Sequence, residues 1–284
     1  MSKQQQPPVY PDEPQIPILP NMLTAGNLLC GFFAILTIYQ GMYVHAANNA
    51  AAAAIESYRT ATYLIFAACA FDLLDGRVAR MCKADGPFGR EFDSIADVVS
   101  FGIAPSLLLV SGVLHELGTI GWGIAVLYML CASLRLARFN CMAAAPKKPN
   151  QSMDFVGLPV PMAAGAVVST FYLVSYFAGQ GTVIPTAWQY IMAAGMAIVS
   201  LLMMSRVIYP SFKHVNFEKK GTAMAILLAA IAVLLFIHNP EVAPAIVFLC
   251  YLLYGLIIRP FLTRRMRRIL EVKDDDDDET ADQA

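Results

Sequence analysis

Charge is what this sequence is short of. Only 14% of its 284 residues are Asp, Glu, Lys or Arg, where a soluble domain carries roughly 25%, while 57% are hydrophobic and the mean hydropathy is +0.56. That deficit excludes an ordinary water-soluble fold, and no nucleic-acid partner is expected. Paired cysteines are missing too: Cys30, Cys69, Cys82, Cys131, Cys141 and Cys250 lie far apart with no CxxC spacing. They read as small buried hydrophobes, which argues against a disulfide framework or a zinc site. No internal repeat is evident. The opening stretch MSKQQQPPVYPDEPQIPILPN is polar and proline-rich, unlike a cleaved signal, so residues 1–20 are expected to form a flexible lead-in. The formal net charge of -1 is uninformative, because DDDDDE at 274–279 offsets RRMRR at 264–268. Residues 271–284 read as a solvated, disordered acidic tail without a catalytic role.

What remains is long apolar runs. At about 20 residues per crossing they predict an all-α, polytopic membrane bundle of about eight transmembrane helices. The expected spans are 22–40, 60–80, 93–113, 120–139, 159–178, 188–208, 221–237 and 242–258, within one catalytic domain over 21–270. Basic residues orient it. The connections near 77–90, 135–148, 206–220 and 259–273 carry nearly all the Lys and Arg, and the opposite side keeps Arg59 alone. The positive-inside rule then predicts a protein of the cytoplasmic membrane with both termini cytoplasmic.

Against this background, FDLLDGRVARMCKADGPFGREFDSIAD at 71–97 is anomalous. Asp72, Asp75, Gly76 and Ala79 recur at helical spacing, so one helix face presents two carboxylates beside two minimal side chains. Gly89, Asp93 and Asp97 repeat every four residues on the next helix, and the D-G and G-P signals between suit a reversal that turns the stripes toward each other. Four carboxylates at a membrane edge repel unless cations compensate them. Oxygen-only ligands favour Mg2+ or Mn2+, two of which could clamp the attacking and leaving oxygens of a phosphoryl transfer. A remaining carboxylate could take the proton of an attacking hydroxyl. Cation transport through the acidic cluster, and structural pairing with Arg77, Arg80 and Arg90, remain open on these residues alone.

The pattern Asp72-x2-Asp75-Gly76-x2-Ala79-Arg80-x8-Gly89-x3-Asp93-x3-Asp97 resembles the complete signature of the CDP-alcohol phosphotransferase family. The resemblance implies a membrane helical bundle, commonly homodimeric, that displaces CMP from a CDP-linked lipid by an acceptor hydroxyl. It implies Asp72, Asp75 and Asp93 as metal ligands, Asp97 as completing the metal site and serving as general base, Asp93 as catalytic beside it, and Gly76, Ala79 and Arg80, with Gly89, around the cytidine and phosphates.

LPNMLTAGNLLCG at 19–31, RLARFN at 135–140, FVGLPVPMAA at 155–164 and LMMSRVIYPSFK at 202–213 are similar to the phosphatidylserine synthase branch of that family. They imply CDP-diacylglycerol as donor and L-serine as acceptor, with glycerol 3-phosphate or an inositol phosphate as the alternatives. Arg135 and Arg138 could hold a diphosphate or a serine carboxylate in bidentate fashion, or merely anchor the membrane interface. Lys213 and Arg206 could supplement the anion site. Thr24 and Asn27 are read as approaching the cytidine end or as a polar contact between helices, and Asn140 as a substrate contact or a local cap. Gly157, Pro159 and Pro161 are expected to break a helix and shape the pocket mouth.

Overall fold

The computed structural model describes residues 17–48, 51–82, 86–144, 155–179, 187–209 and 238–258. Its helices are α1 (Ile18–Asn48), α2 (Ala51–Met81), α3 (Pro87–Asp97), α4 (Ala104–Gly112), α5 (Thr119–Ala144), α6 (Val160–Gly179), α7 (Ala187–Met204) and α8 (Ala243–Leu253). A π-helical segment, Val98–Ile103, fuses α3 to α4, and a second, Tyr254–Ile258, extends α8. The all-α expectation holds, with one small addition: β1 (Phe155–Val156) pairs antiparallel with β2 (Ile208–Tyr209).

The spans expected at 22–40, 60–80, 93–113, 120–139, 159–178 and 242–258 fall on helices; the one at 188–208 stops at Met204, and 221–237 lies outside the described residues. Among the described residues five helices, beginning at Ile18, Pro87, Thr119, Val160 and Ala187, are long and apolar enough to cross a bilayer. Charges near both ends of α2 keep it out of that set, although its 31 residues reach about 46 Å, beyond the ~30 Å of a hydrocarbon core. The exposed faces carry Phe32, Phe33, Leu36, Leu130, Leu134, Ile198 and Leu201. In water such a surface would aggregate; in a bilayer it is the face toward solvent.

Close packing between helices uses small residues, as membrane bundles do without a hydrophobic drive between them: Ala34, Ala61, Ala68 and Ala132 are fully buried. Gly86 enters α3 extended, and Pro87 occupies the first turn, where its missing N–H costs nothing. The π segment sets the most intimate contact. A Cβ on Gly31 would lie 2.7 Å from the Ser100 Cα, and the Ser100 hydroxyl donates to the Asn27 carbonyl at 3.0 Å. A π turn re-aims a helix locally, and here it does so immediately after Asp97.

Gly157, at φ +84, donates its N–H to the Val207 carbonyl at 2.8 Å and packs on the Met203 carbonyl, closing the β1–β2 clasp between the start of α6 and the end of α7. Two blocks whose outer paired positions, Phe155 and Tyr209, lie 54 residues apart thus meet as Phe155↔Tyr209 and Val156↔Ile208. Contacts elsewhere sort the helix ends. Thr24 meets Asp75, Asn140 meets Ser94, and Tyr209 stacks on Tyr251, whereas Arg59, Tyr63 and Tyr172 cluster some 20 Å along α2 from Asp72. Arg59, which the charge count separates from every other cation, therefore lies toward the end away from the aspartates.

Candidate active site

Asp72 and Asp75 come from the C-terminal part of α2, and Asp93 and Asp97 from α3. One carboxylate oxygen from each of Asp72, Asp75 and Asp93 lies within 4.8 Å of the others. Asp97, only 5% exposed, stands outside that trio but within electrostatic reach of Asp72 and Asp93. Among the described residues the one ion pair within 4.0 Å is Arg59–Glu56, so Arg77, Arg80 and Arg90 do not neutralise the aspartates there. Structural ion pairing is therefore not what gathers them.

Helix α1 supplies donors instead. Thr24 donates its hydroxyl to Asp75 Oδ2 at 2.9 Å, and Asn27 donates Nδ2 to Asp97 Oδ1 at 3.1 Å. Three residues apart, they share a helix face and brace one carboxylate from each acidic helix. The expectation of a contact between helices is met at both; Thr24 also lines the cavity, and Asn27 does not.

The donor set fits a divalent cation. Three hard oxygens converge, and Asp93 Oδ1 is buried without a hydrogen-bond partner. Buried charge in that state is normally paired or bound to metal, and all-oxygen ligands suit Mg2+ or Mn2+.

Asp75 and Asp93 look into a cavity of about 490 Å³, which Gly76, Ala79, Arg80, Gly89 and Arg90 also line. A Cβ at Gly76 would meet no protein atom within 4 Å, so its absence keeps cavity space open and relieves no internal clash. Asn21, which the motif does not single out, lines the same wall with a buried, unpartnered Nδ2. Its signal was the 21/24/27 spacing on one face of α1. Asp72 and Asp97 do not line this cavity, and neither do Arg135 or Arg138.

Arg135 is 8% exposed, stacks its guanidinium over Phe139 at 5.9 Å, and sits within electrostatic reach of Asp97, Tyr251, Arg138 and Asp72. Its Nε is buried and unpartnered. Asn140 is neither cap nor free: it donates to Ser94 Oγ at 2.9 Å and Glu91 Oε2 at 3.2 Å, bracing α5 on α3. Gly157, Pro159 and Pro161 do not shape the cavity wall; they form the clasp and the first turn of α6. Arg206 is exposed, and Lys213 lies outside the described residues.

The sequence profile of the CDP-alcohol phosphatidyltransferases matches residues 17–201, which contain the whole aspartate cluster and its braces. The chain belongs to the CDP-alcohol phosphatidyltransferase family. A CDP-diacylglycerol–serine O-phosphatidyltransferase of Helicobacter pylori is 32% identical over 86% of this chain and 92% of its own. The Bacillus subtilis protein of the same name is 33% identical over 69% and 91%. An archaetidylserine synthase of Methanothermobacter thermautotrophicus is 34% identical over 68% and 69%. The family uses a divalent metal, and the aspartate trio is a cluster able to hold one, set in an apolar helical bundle.

Proposed function

We propose that this chain transfers the phosphatidyl group of CDP-diacylglycerol to the hydroxyl of L-serine, giving phosphatidylserine and CMP by direct displacement. The observation that carries the chemistry is the trio Asp72, Asp75 and Asp93, converging within 4.8 Å beside an open cavity. The acceptor follows the names borne by the relatives. Divalent cations, Mg2+ or Mn2+ and two per site, would be held by the trio with Asp97 at its edge, and when bound they supply neutralisation of the donor's diphosphate.

The chain's own groups do the rest. Gly76 and Ala79 leave room for the cytidine diphosphate head, Gly89 flanks it, and Arg80 donates to phosphate oxygens. The acyl chains stay in the bilayer. Asp97 accepts the proton of the serine hydroxyl, whose oxygen forms a bond to the lipid-side phosphorus as the phosphorus–oxygen bond to CMP breaks. Asn27 holds Oδ1 of that carboxylate, which points the proton-accepting role to Oδ2. No covalent enzyme intermediate is needed, because the site offers no paired nucleophile and base. The catalytic domain spans 21–270, the site opens to the cytoplasm, and the working unit is a homodimer in the cytoplasmic membrane.

Purified protein with CDP-diacylglycerol and Mg2+ or Mn2+ should release CMP when L-serine is added. Parallel arms with glycerol 3-phosphate, an inositol phosphate, and the archaeol form of the donor test acceptor and backbone. Serine-independent CMP release, or cation flux through vesicles without CMP, would overturn the reading.

A further inference from the structure

We propose that Asn27 and Arg135 form a clamp for the two charged ends of an amino-acid acceptor, Asn27 Oδ1 taking the ammonium and Arg135 the carboxylate. The clamp rests on the acceptor reading above and assigns the residues that produce it.

The orientation of Asn27 is decided by chemistry. A carboxylate oxygen accepts, so the amide nitrogen must face Asp97 Oδ1, as the 3.1 Å contact has it. The amide oxygen is then left buried with no donor, in a side chain with no exposure at all. An unmet buried acceptor is costly, and an incoming N–H cation is the partner it lacks. Arg135 presents the complementary deficit: a buried cation near Asp97 and Asp72 whose Nε has no acceptor.

Position separates both residues from the donor. The cavity wall has its own cations, Arg80 and Arg90, for a diphosphate, and neither Asn27 nor Arg135 is on it. Asn27 is hydrogen-bonded to Asp97, the group that receives the hydroxyl proton, and Arg135 lies within electrostatic reach of it. A hydroxy-amino acid carries its ammonium and carboxylate on the carbon next to the one bearing the hydroxyl, so one molecule can meet all three groups. A phosphorylated acceptor fits worse, since its oxygens are repelled by the Asn27 carbonyl, and this selects against it without a clash.

The test uses the full chain in vesicles with Mn2+, following CMP release. L-Alanine, which keeps both charged groups and lacks the hydroxyl, should compete with L-serine, while L-alaninamide and propanoate should each inhibit roughly 10- to 100-fold more weakly. Arg135→Gln should raise the serine KM and weaken L-alanine by a similar factor, leave L-alaninamide unchanged, and leave the KM for CDP-diacylglycerol unchanged. Arg135→Lys, which keeps the charge, should fall between. Asn27→Ser should weaken L-alanine and spare propanoate. Equal weakening of L-alanine and L-alaninamide by Arg135→Gln, a shift in the donor KM alone, or no inhibition of the unaltered protein by L-alanine would each sink the clamp. The two readings fail differently: CMP release with glycerol 3-phosphate and not with serine removes the acceptor, whereas serine-dependent release with any of those inhibition patterns removes the clamp alone.

Discussion

Two cavities of nearly equal size sit in this bundle. The one at the aspartate end holds about 490 Å³; the other, between α4, α6, α7 and α8, holds about 530 Å³. Leu109, Phe177, Trp188, Met196 and Leu249 line the second, and its one hydroxyl, on Thr170, is already donated to the Ala166 carbonyl at 2.7 Å. No buried polar side-chain atom there lacks a partner. At the aspartate end Asp93, Asn21, Asn27 and Arg135 all retain buried polar atoms with none. Volume is thus no guide to chemistry here; the concentration of unmet hydrogen-bonding and charge is, since each buried polar atom without a partner calls for a water, ion or ligand, and of the six among the described residues only Arg59 Nε and Tyr209 Oη belong to other residues.

Asp93→Asn should break this contrast most severely. Removing one converging carboxylate should lower metal-dependent CMP release by about 1,000-fold or more, in line with the loss of a principal electrostatic group, while the helical circular dichroism is retained. Chelation of divalent cations from the unaltered protein should produce the same loss, reversibly on adding Mg2+ or Mn2+. A matching substitution in the other cavity should act on stability alone. Met196 is 1% exposed, so Met196→Ala should cost roughly 2–5 kcal/mol of packing, read as earlier thermal unfolding in detergent. Below that transition its KM for both substrates should be unchanged.

How far the two regions could be read from the chain differs for the same physical reason. The acidic stripes were legible because residues three and four apart share a helix face, a property of one element. The reversal between α2 and α3 was legible from D-G and G-P. The partners of those aspartates were not, since Thr24 and Asn27 lie 51 and 70 residues from Asp75 and Asp97 and meet them only through tertiary packing. The π segment also left no trace in VVSFGI; its need shows only once Gly31 is found against Ser100. The clasp joined two quoted blocks whose proline and glycine content announced a break without saying what would be paired. The apolar cavity had no signature, because its lining residues look like every other membrane-facing run.

Thr24→Val sharpens the comparison at the level of the braces. It removes the 2.9 Å donor to Asp75 Oδ2 and keeps the side-chain volume. Supporting hydrogen bonds to metal-binding carboxylates are worth about 10- to 100-fold in metal affinity, so the Mg2+ or Mn2+ concentration needed for half-maximal rate should rise by about that factor. The rate at saturating metal should fall far less. An unchanged metal requirement would mean that Thr24 serves helix packing and not the carboxylate.

The smallest effect expected, and the most discriminating, is at Gly76. A glycine within a helix ordinarily costs about 0.5–1 kcal/mol relative to alanine, and a Cβ here would meet no protein atom within 4 Å. Gly76→Ala should therefore leave the unfolding temperature unchanged or raise it slightly. The same methyl would project into the space assigned to the cytidine diphosphate head, so the KM for CDP-diacylglycerol should rise by about 10-fold, the cost of roughly 1.4 kcal/mol of lost binding, with the serine KM held. Stability and donor affinity then move in opposite directions from one added carbon. That opposition separates a glycine kept for its ligand from one kept for its fold, and Gly31→Ala, whose Cβ would be driven into Ser100, supplies the converse case: it should unfold the bundle early because α1 can no longer seat on the π segment.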